Sequence, residues 1–213
     1  YWLWATVLLE SKNINFQVRA HDEYAPARIP MIMRAFQARK TMHRMPALIL
    51  LAGFTCVSSA ADFTIVNGQT ETTSQTLNSG ETGKVQSGGA ISTTANNAHA
   101  IDGDTADNAT ATNDGTISTT GNDADGIQVN DSNTISNSGS ITTSGTDANG
   151  IGADNSNSIT NSGTITTTGQ NGDAIESDDD NIIINNGTIT TSGDVADGID
   201  SNNRNTIINN GTI

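Results

Sequence analysis

The fold is decided by residues 139–210, which read GSITTSGTDANGIGADNSNSITNS (139–162), GTITTTGQNGDAIESDDDNIIINN (163–186) and GTITTSGDVADGIDSNNRNTIINN (187–210). Each line is 24 residues long and the three align without a gap. Gly115-Thr116-Ile117 opens an earlier copy and Gly211-Thr212-Ile213 a later one. A fixed period of this size marks a stack of like units, and it outranks any local assignment of secondary structure.

Three isoleucine columns keep the period: Ile117, Ile141, Ile165, Ile189; Ile127, Ile151, Ile175, Ile199; and Ile135, Ile159, Ile183, Ile207. Within a unit they stand 10, 8 and 6 residues apart. All the steps are even, as strand alternation requires if every isoleucine is to face one interior. The runs around them are rich in β-branched residues and bounded by Gly, Asn, Asp and Ser, which is strand-and-turn chemistry. Runs 164–168, 173–176 and 181–185 are one unit's set. No run of helix formers is long enough for a helical solenoid. The pattern predicts an all-β fold: a three-sided solenoid of 24-residue coils stacked by parallel pairing.

One such coil buries three isoleucines worth ~1.5–3 kcal/mol each. Ordering its backbone costs roughly 1–2 kcal/mol per residue. A lone coil therefore cannot fold, and stacking has to supply ladder hydrogen bonds and a closed core. Asn133, Asn157, Asn181 and Asn205 recur in register, as do Asn137, Asn161, Asn185 and Asn209. Both sets are expected to hydrogen-bond amide to amide from coil to coil. Gly121, Gly145, Gly169 and Gly193 are expected at corners with φ > 0.

The rest of the chain is unlike this. Seven of the nine basic residues precede position 45, while from Asp62 onward 20 acidic residues face Lys84 and Arg204, a net of −18. No aromatic follows Phe63, no Cys follows Cys56 and no Pro follows Pro46. Residues 1–41 begin with Tyr1 and hold no repeat, so they read as an upstream extension, either translated upstream sequence or an extended signal region. Met42 to Ala61 has the form of a secretory signal peptide. His43 and Arg44 supply its charge, 45–57 its apolar stretch, and Ser58-Ser59-Ala60-Ala61 the small residues for cleavage before Ala61 or Asp62. The apolar stretch is shorter than the ~20 residues of a membrane span. Thr55 before Cys56 departs from a lipoprotein signal, and cleavage as drawn leaves no cysteine.

Residues 62–88 are read as an N-terminal cap or irregular first coil, with Ile65, Val66, Leu77 and Val85 as core candidates. Residues 89–213 are the repeats, about five coils at ~4.8 Å each. The first is a 26-residue variant whose two extra residues are expected in a bulge or longer corner, with Ala109 or Ala111 in place of an isoleucine. Ile213 opens a further coil, so a longer chain is expected, with more coils and a further domain.

A signal peptide followed by Asn161-Ser162-Gly163-Thr164-Ile165 and Asn185-Asn186-Gly187-Thr188-Ile189 resembles the passenger domains of bacterial autotransporters (type V secretion) over roughly 89–213. The resemblance implies a right-handed parallel β-helix and an adhesin-like, non-enzymatic passenger. It would be secreted or displayed at the outer membrane of a Gram-negative cell and would meet a host or cell-surface receptor. It also implies a C-terminal outer-membrane barrel, whose alternating strands and aromatic girdles this sequence lacks.

Three further chemistries are weighed. Carbohydrate-active β-helices need cationic groups and a base near one another, whereas Lys84, His99 and Arg204 fall on different coils. Calcium is a candidate at Asp178, Asp179 and Asp180 with Asp154 one coil earlier, since stacked carboxylates repel and a hard cation relieves that; Asp173 and Asp197 also stack. Thr116, Ser118 and Thr120, with Ser140, Thr142 and Ser144, Thr164, Thr166 and Thr168, and Thr188, Thr190 and Ser192, are expected to point outward as a hydroxyl grid resembling that of ice-binding solenoids. No cofactor is expected. Nucleic acid and anionic lipid are disfavoured by the net charge, which repels phosphate, and no membrane insertion is expected of the mature segment.

Overall fold

A computed structural model describes residues 63–213. The upstream extension and the signal peptide, with its cleavage site at Ala60 and Ala61, lie outside the described residues. The described residues belong to one compact unit, Phe54–Ile213.

Every strand among the described residues lies in one of three parallel sheets, two of six strands and one of seven. A coil gives one strand to each sheet in turn. Thr116–Thr119, Ile127–Val129 and Thr134–Asn137 make one coil. Ser140–Thr143, Ile151–Ala153 and Ser158–Asn161 make the next. Pairing follows the 24-residue period without slippage. Ile117, Ile141, Ile165 and Ile189 are successive partners in the first sheet. Ile127, Ile151, Ile175 and Ile199 are partners in the second, and Ile135, Ile159, Ile183 and Ile207 in the third. The chain is thus a three-sheet parallel β-solenoid, as the spacing predicts.

Alternation fixes what each strand buries. In Thr116–Thr119 the first and third side chains face out while Ile117 and Thr119 face in. The isoleucines of the three columns up to Ile189 are sealed, Ile189 being the most open at 2%. Two members of the predicted columns depart from this. Ile199 is only partly buried and Ile207 is 45% exposed. Both lie in the last coil described, which has a neighbour on one side only, so their outer flanks have nothing to pack against.

Residues 63–88 contribute to all three sheets, through Phe63–Ile65, Thr70–Glu71, Gln75–Thr76 and Thr82–Val85. Ile65, Leu77 and Val85 enter the core, whereas Val66 is turned outward and 46% exposed. The two extra residues of the 26-residue unit form a longer corner. Six residues separate Gly103 from Thr110, against four between Val129 and Thr134. Ala111 pairs with Ile135 and so takes the isoleucine position, and Ala109 is buried beside it.

The corner glycines serve another purpose than the one expected. Gly121, Gly145, Gly169 and Gly193 do not have positive φ. A Cβ on Gly145 would overlap the carbonyl oxygen of Gly121, and one on Gly169 that of Gly145. Side-chain-free corners are what let successive backbones approach. The left-handed residues stand two positions later, at Asn97, Asp123, Asp147, Asn171 and Val195. A second left-handed column runs through Asn108, Ser132, Ser156, Asp180 and Arg204. Asn and Asp tolerate this conformation through local hydrogen bonds. Val195, with φ 60, does not share that property.

Candidate functional site

The polar side chains fall into vertical columns, and the two asparagine columns use different chemistry. In the third sheet Asn113, Asn137, Asn161 and Asn185 are sealed. Each Nδ2 donates to the Oδ1 of the Asn one coil on, at 2.8, 2.8 and 2.8 Å, and Asn185 continues to Asn209 at 2.9 Å. This is the amide ladder expected. The Asn133, Asn157, Asn181 and Asn205 column is not amide to amide. The backbone N–H of Asn133 donates to Asn157 Oδ1 at 2.7 Å, and Asn157 and Asn181 repeat this at 2.7 and 2.6 Å. Each Nδ2 reaches back to a carbonyl 27 residues earlier, such as Asn157 to Asn130 at 2.8 Å. These residues sit at a corner where the chain turns between strands, so the backbone there needs side-chain partners.

A third column ends on the stacked pair Asp173 and Asp197, and its earlier members are not all acidic. His99, Asp125, Asn149 and Asp173 each accept the backbone N–H of the residue one coil on, at 3.0, 2.6, 2.8 and 2.6 Å. Asp125, Asn149 and Asp173 are nearly closed to solvent. The shared feature is an acceptor rather than one residue type, which is why a search for identical residues passes over it. His99 Nδ1 lies 3.0 Å from the Asp125 amide and 3.4 Å from its carboxylate. A neutral ring accepts from the amide and a protonated ring donates to the carboxylate. That hydrogen bond raises the His99 pKa above 6.5, against the lowering effect of its burial. Burial also raises Asp173 and Glu176, with like charges adding to it.

Three of the four carboxylates considered for calcium accept hydrogen bonds from the next coil. Asp178 accepts from Asn202 Nδ2 at 2.7 Å. Asp179 accepts from the Asn203 amide at 2.9 Å, and Asp180 from Arg204 Nε at 2.7 Å. Asp179 and Asp180 are held below the usual carboxylate range, the first chiefly by Asn203 and the second by Arg204. Asp154 is raised by burial and then by Asp178. Among the described residues, no group of three or more His, Cys, Asp or Glu is placed to hold a metal ion. Elsewhere Asp is stacked on Asn: Asp131 receives Asn155 at 3.1 Å and Asp147 receives Asn171 at 2.8 Å. Interleaved amides relieve the repulsion that a column of carboxylates would suffer.

The outward faces differ in chemistry. On the first sheet the twelve Ser and Thr positions fall in register, Thr116 beside Ser140, Thr164 and Thr188, and Ser118 beside Thr142, Thr166 and Thr190. All twelve are exposed or half-buried, and none carries a charge. The third sheet shows Thr134 and Ser136, then Ser158 and Thr160, but Ile182 and Ile184 one coil later. Ile182 is 48% exposed and Ile208, in the next coil, 44%. The second sheet displays Asp102, Gln128, Glu176 and Asp200, with Gly152 buried in the same row. Lys84 and Arg204 stand far apart in the stack, paired to Asp114 at 2.8 Å and to Asp180 at 2.7 Å.

Thr93, Thr119, Thr143 and Thr167 face inward and are buried. Thr143 Oγ1 donates to the Ala148 carbonyl at 2.9 Å, while Thr119 and Thr167 Oγ1 are buried without a partner. The alternation that places Ile117 inside also places Thr119 inside, so this column was legible.

The chain matches no protein family, no curated protein and no solved structure. What defines it is its architecture, a parallel three-sheet β-solenoid.

Proposed function

We propose that this chain is the rod portion of an exported, non-enzymatic, adhesin-like protein of the autotransporter kind. In this reading it is displayed at or released from the surface of a Gram-negative cell, followed by an outer-membrane barrel, and it presents its faces to a host or cell-surface receptor. The observation that carries the reading is how the polar residues are used. The buried amides and three of the acid-bearing columns are engaged coil to coil, in amide ladders, amide-capping carboxylates and Asp–Asn rungs. Such a stack makes a stiff spacer. Its six coils at ~4.8 Å each span on the order of 29 Å. A strongly acidic exterior keeps such a rod soluble and away from anionic surfaces.

The test is to express the full gene in a Gram-negative host and treat intact cells with protease. The reading expects the repeat to be clipped from outside and the cells to adhere better than cells with the repeat deleted. Protection of the repeat until the outer membrane is opened would overturn it.

A second reading rests on the hydroxyl face. Twelve uncharged Ser and Thr side chains form a grid with steps of ~4.8 Å between strands and ~6.6 Å along them. A flat grid of this kind suits an ordered surface such as ice. Ice shaping and thermal hysteresis by the purified repeat, both lost in Thr166→Lys, would favour this reading over adhesion.

A further inference from the structure

Five Asn-Gly pairs occur in the chain, at Asn67, Asn149, Asn171, Asn186 and Asn210. In this dipeptide the glycine amide nitrogen can attack the asparagine side-chain carbonyl. A bond forms from that nitrogen to Cγ, ammonia leaves, and water opens the resulting succinimide to aspartate or isoaspartate. The attack requires an exposed side chain and a glycine N–H released from its own hydrogen bonds.

The fold separates the five sites by these two requirements. Asn149 is buried and its glycine amide donates to the Asp173 carbonyl at 2.9 Å. Gly187 and Gly211 are each held twice, by a backbone carbonyl at 3.1 and 3.0 Å and by an asparagine Oδ1 at 3.2 and 3.2 Å. Gly68 makes one good bond, to Gly88 at 2.8 Å. Gly172 makes one long bond, to Gly169 at 3.3 Å, beyond the usual range. Asn171 before it is exposed at a corner.

We infer that Asn171 is a built-in deamidation site, the first position in the folded protein to convert. The conversion has a structural readout. Asn171 Nδ2 donates to Asp147 Oδ1 at 2.8 Å. An aspartate there faces Asp147 with a second negative charge and loses the donor, so a bonded rung becomes a repulsive one. Asp123 and Asp147 occupy the same left-handed column, so an aspartate product is accommodated by the backbone. The rod therefore carries a slow chemical mark of its age at one corner.

The test incubates the folded protein at mildly alkaline pH and follows each Asn-Gly site by peptide mapping, counting the one-dalton gain and isoaspartate. Freeing Gly172 breaks one weak bond where Gly187 and Gly211 must break two. One hydrogen bond corresponds to about a tenfold difference in rate. Asn171 is expected to convert about tenfold faster than Asn186 and Asn210, and ahead of Asn67. In urea-unfolded protein the five sites should converge. Earlier conversion of any other site in the folded state, equal rates at all five, or no conversion at Asn171 while the unfolded chain reacts would overturn the inference. Asn171→Asp, a residue type the same left-handed column already holds at Asp123 and Asp147, should abolish the early product and lower the melting temperature by removing the rung to Asp147.

Discussion

Replacing Val195 by Asn should stabilise the protein, although Val195 touches little. Its side chain is 84% exposed and its φ is 60, the left-handed region. Left-handed geometry costs an L-residue roughly 1–2 kcal/mol, and β-branching makes it worse. The four preceding members of its column are Asn97, Asp123, Asp147 and Asn171, residue types that accept this geometry. Val195→Asn should therefore recover about 1 kcal/mol. In a domain of this size that raises the melting temperature by about 2–4 °C. Val195→Gly should gain less, since glycine relieves the strain but adds roughly 0.5–1 kcal/mol of unfolded-chain entropy. Val195→Ala, with a Cβ but no branch, should gain least. Because Val195 lies near the end of the stack, where coils open locally, amide exchange at Ile199 and Thr206 should be followed beside global denaturation. The expected order of stability is Asn, Gly, Ala, Val. If Asn at 195 left both denaturation and exchange unchanged, or lowered stability, the claim that backbone strain dominates at this corner would fail.

Gly169→Ala should be severely destabilising, by about 3 kcal/mol or more in urea titration, because the new Cβ overlaps the Gly145 carbonyl and coils on both sides would have to part; a change under about 1 kcal/mol would refute the close-approach account. Ile151→Ala, at a sealed position between Ile127 and Ile175, should cost about 2–5 kcal/mol, whereas Ile207→Ala, 45% exposed, should cost under about 1 kcal/mol. The melting temperature should rise as pH is lowered from about 8 to about 5. Asp154, Asp173 and Glu176 bind protons more tightly folded than unfolded, so folding is favoured as pH falls through their raised values. His99, raised above 6.5, contributes stability fully present below 6.5 and lost as pH climbs through its folded value. Asp114, lowered by Lys84 and Ser138, contributes stability present above 3.8 and lost as pH falls through its folded value, so the trend should reverse in stronger acid. A profile flat as pH falls from 8 through 6.5 would contradict the Asp125 partner assigned to His99.

The sequence by itself determined the period, the strands and the inside of the coil. Hydrophobic alternation and a repeat length are local and additive, and every unit restates them, so the sequence alone puts Ile127 and Ile151 in one column. The charge-free Ser and Thr rows were legible for the same reason. What only the tertiary structure decided depends on contacts between coils. A recurring glycine looks alike whether it relieves φ or makes room, and the Gly121 carbonyl beneath Gly145 shows that it makes room. A recurring asparagine looks alike in a sealed strand and at a corner, yet Asn161 bonds another amide while Asn157 accepts a backbone N–H. The His99, Asp125, Asn149 and Asp173 column shares a lone pair and not a letter, so it appears only when the coils are stacked. Periodicity fixes which side of a strand a residue occupies; its hydrogen-bond partner is fixed by the neighbouring coil, which the stack brings to within hydrogen-bond reach and the sequence leaves 24 residues away.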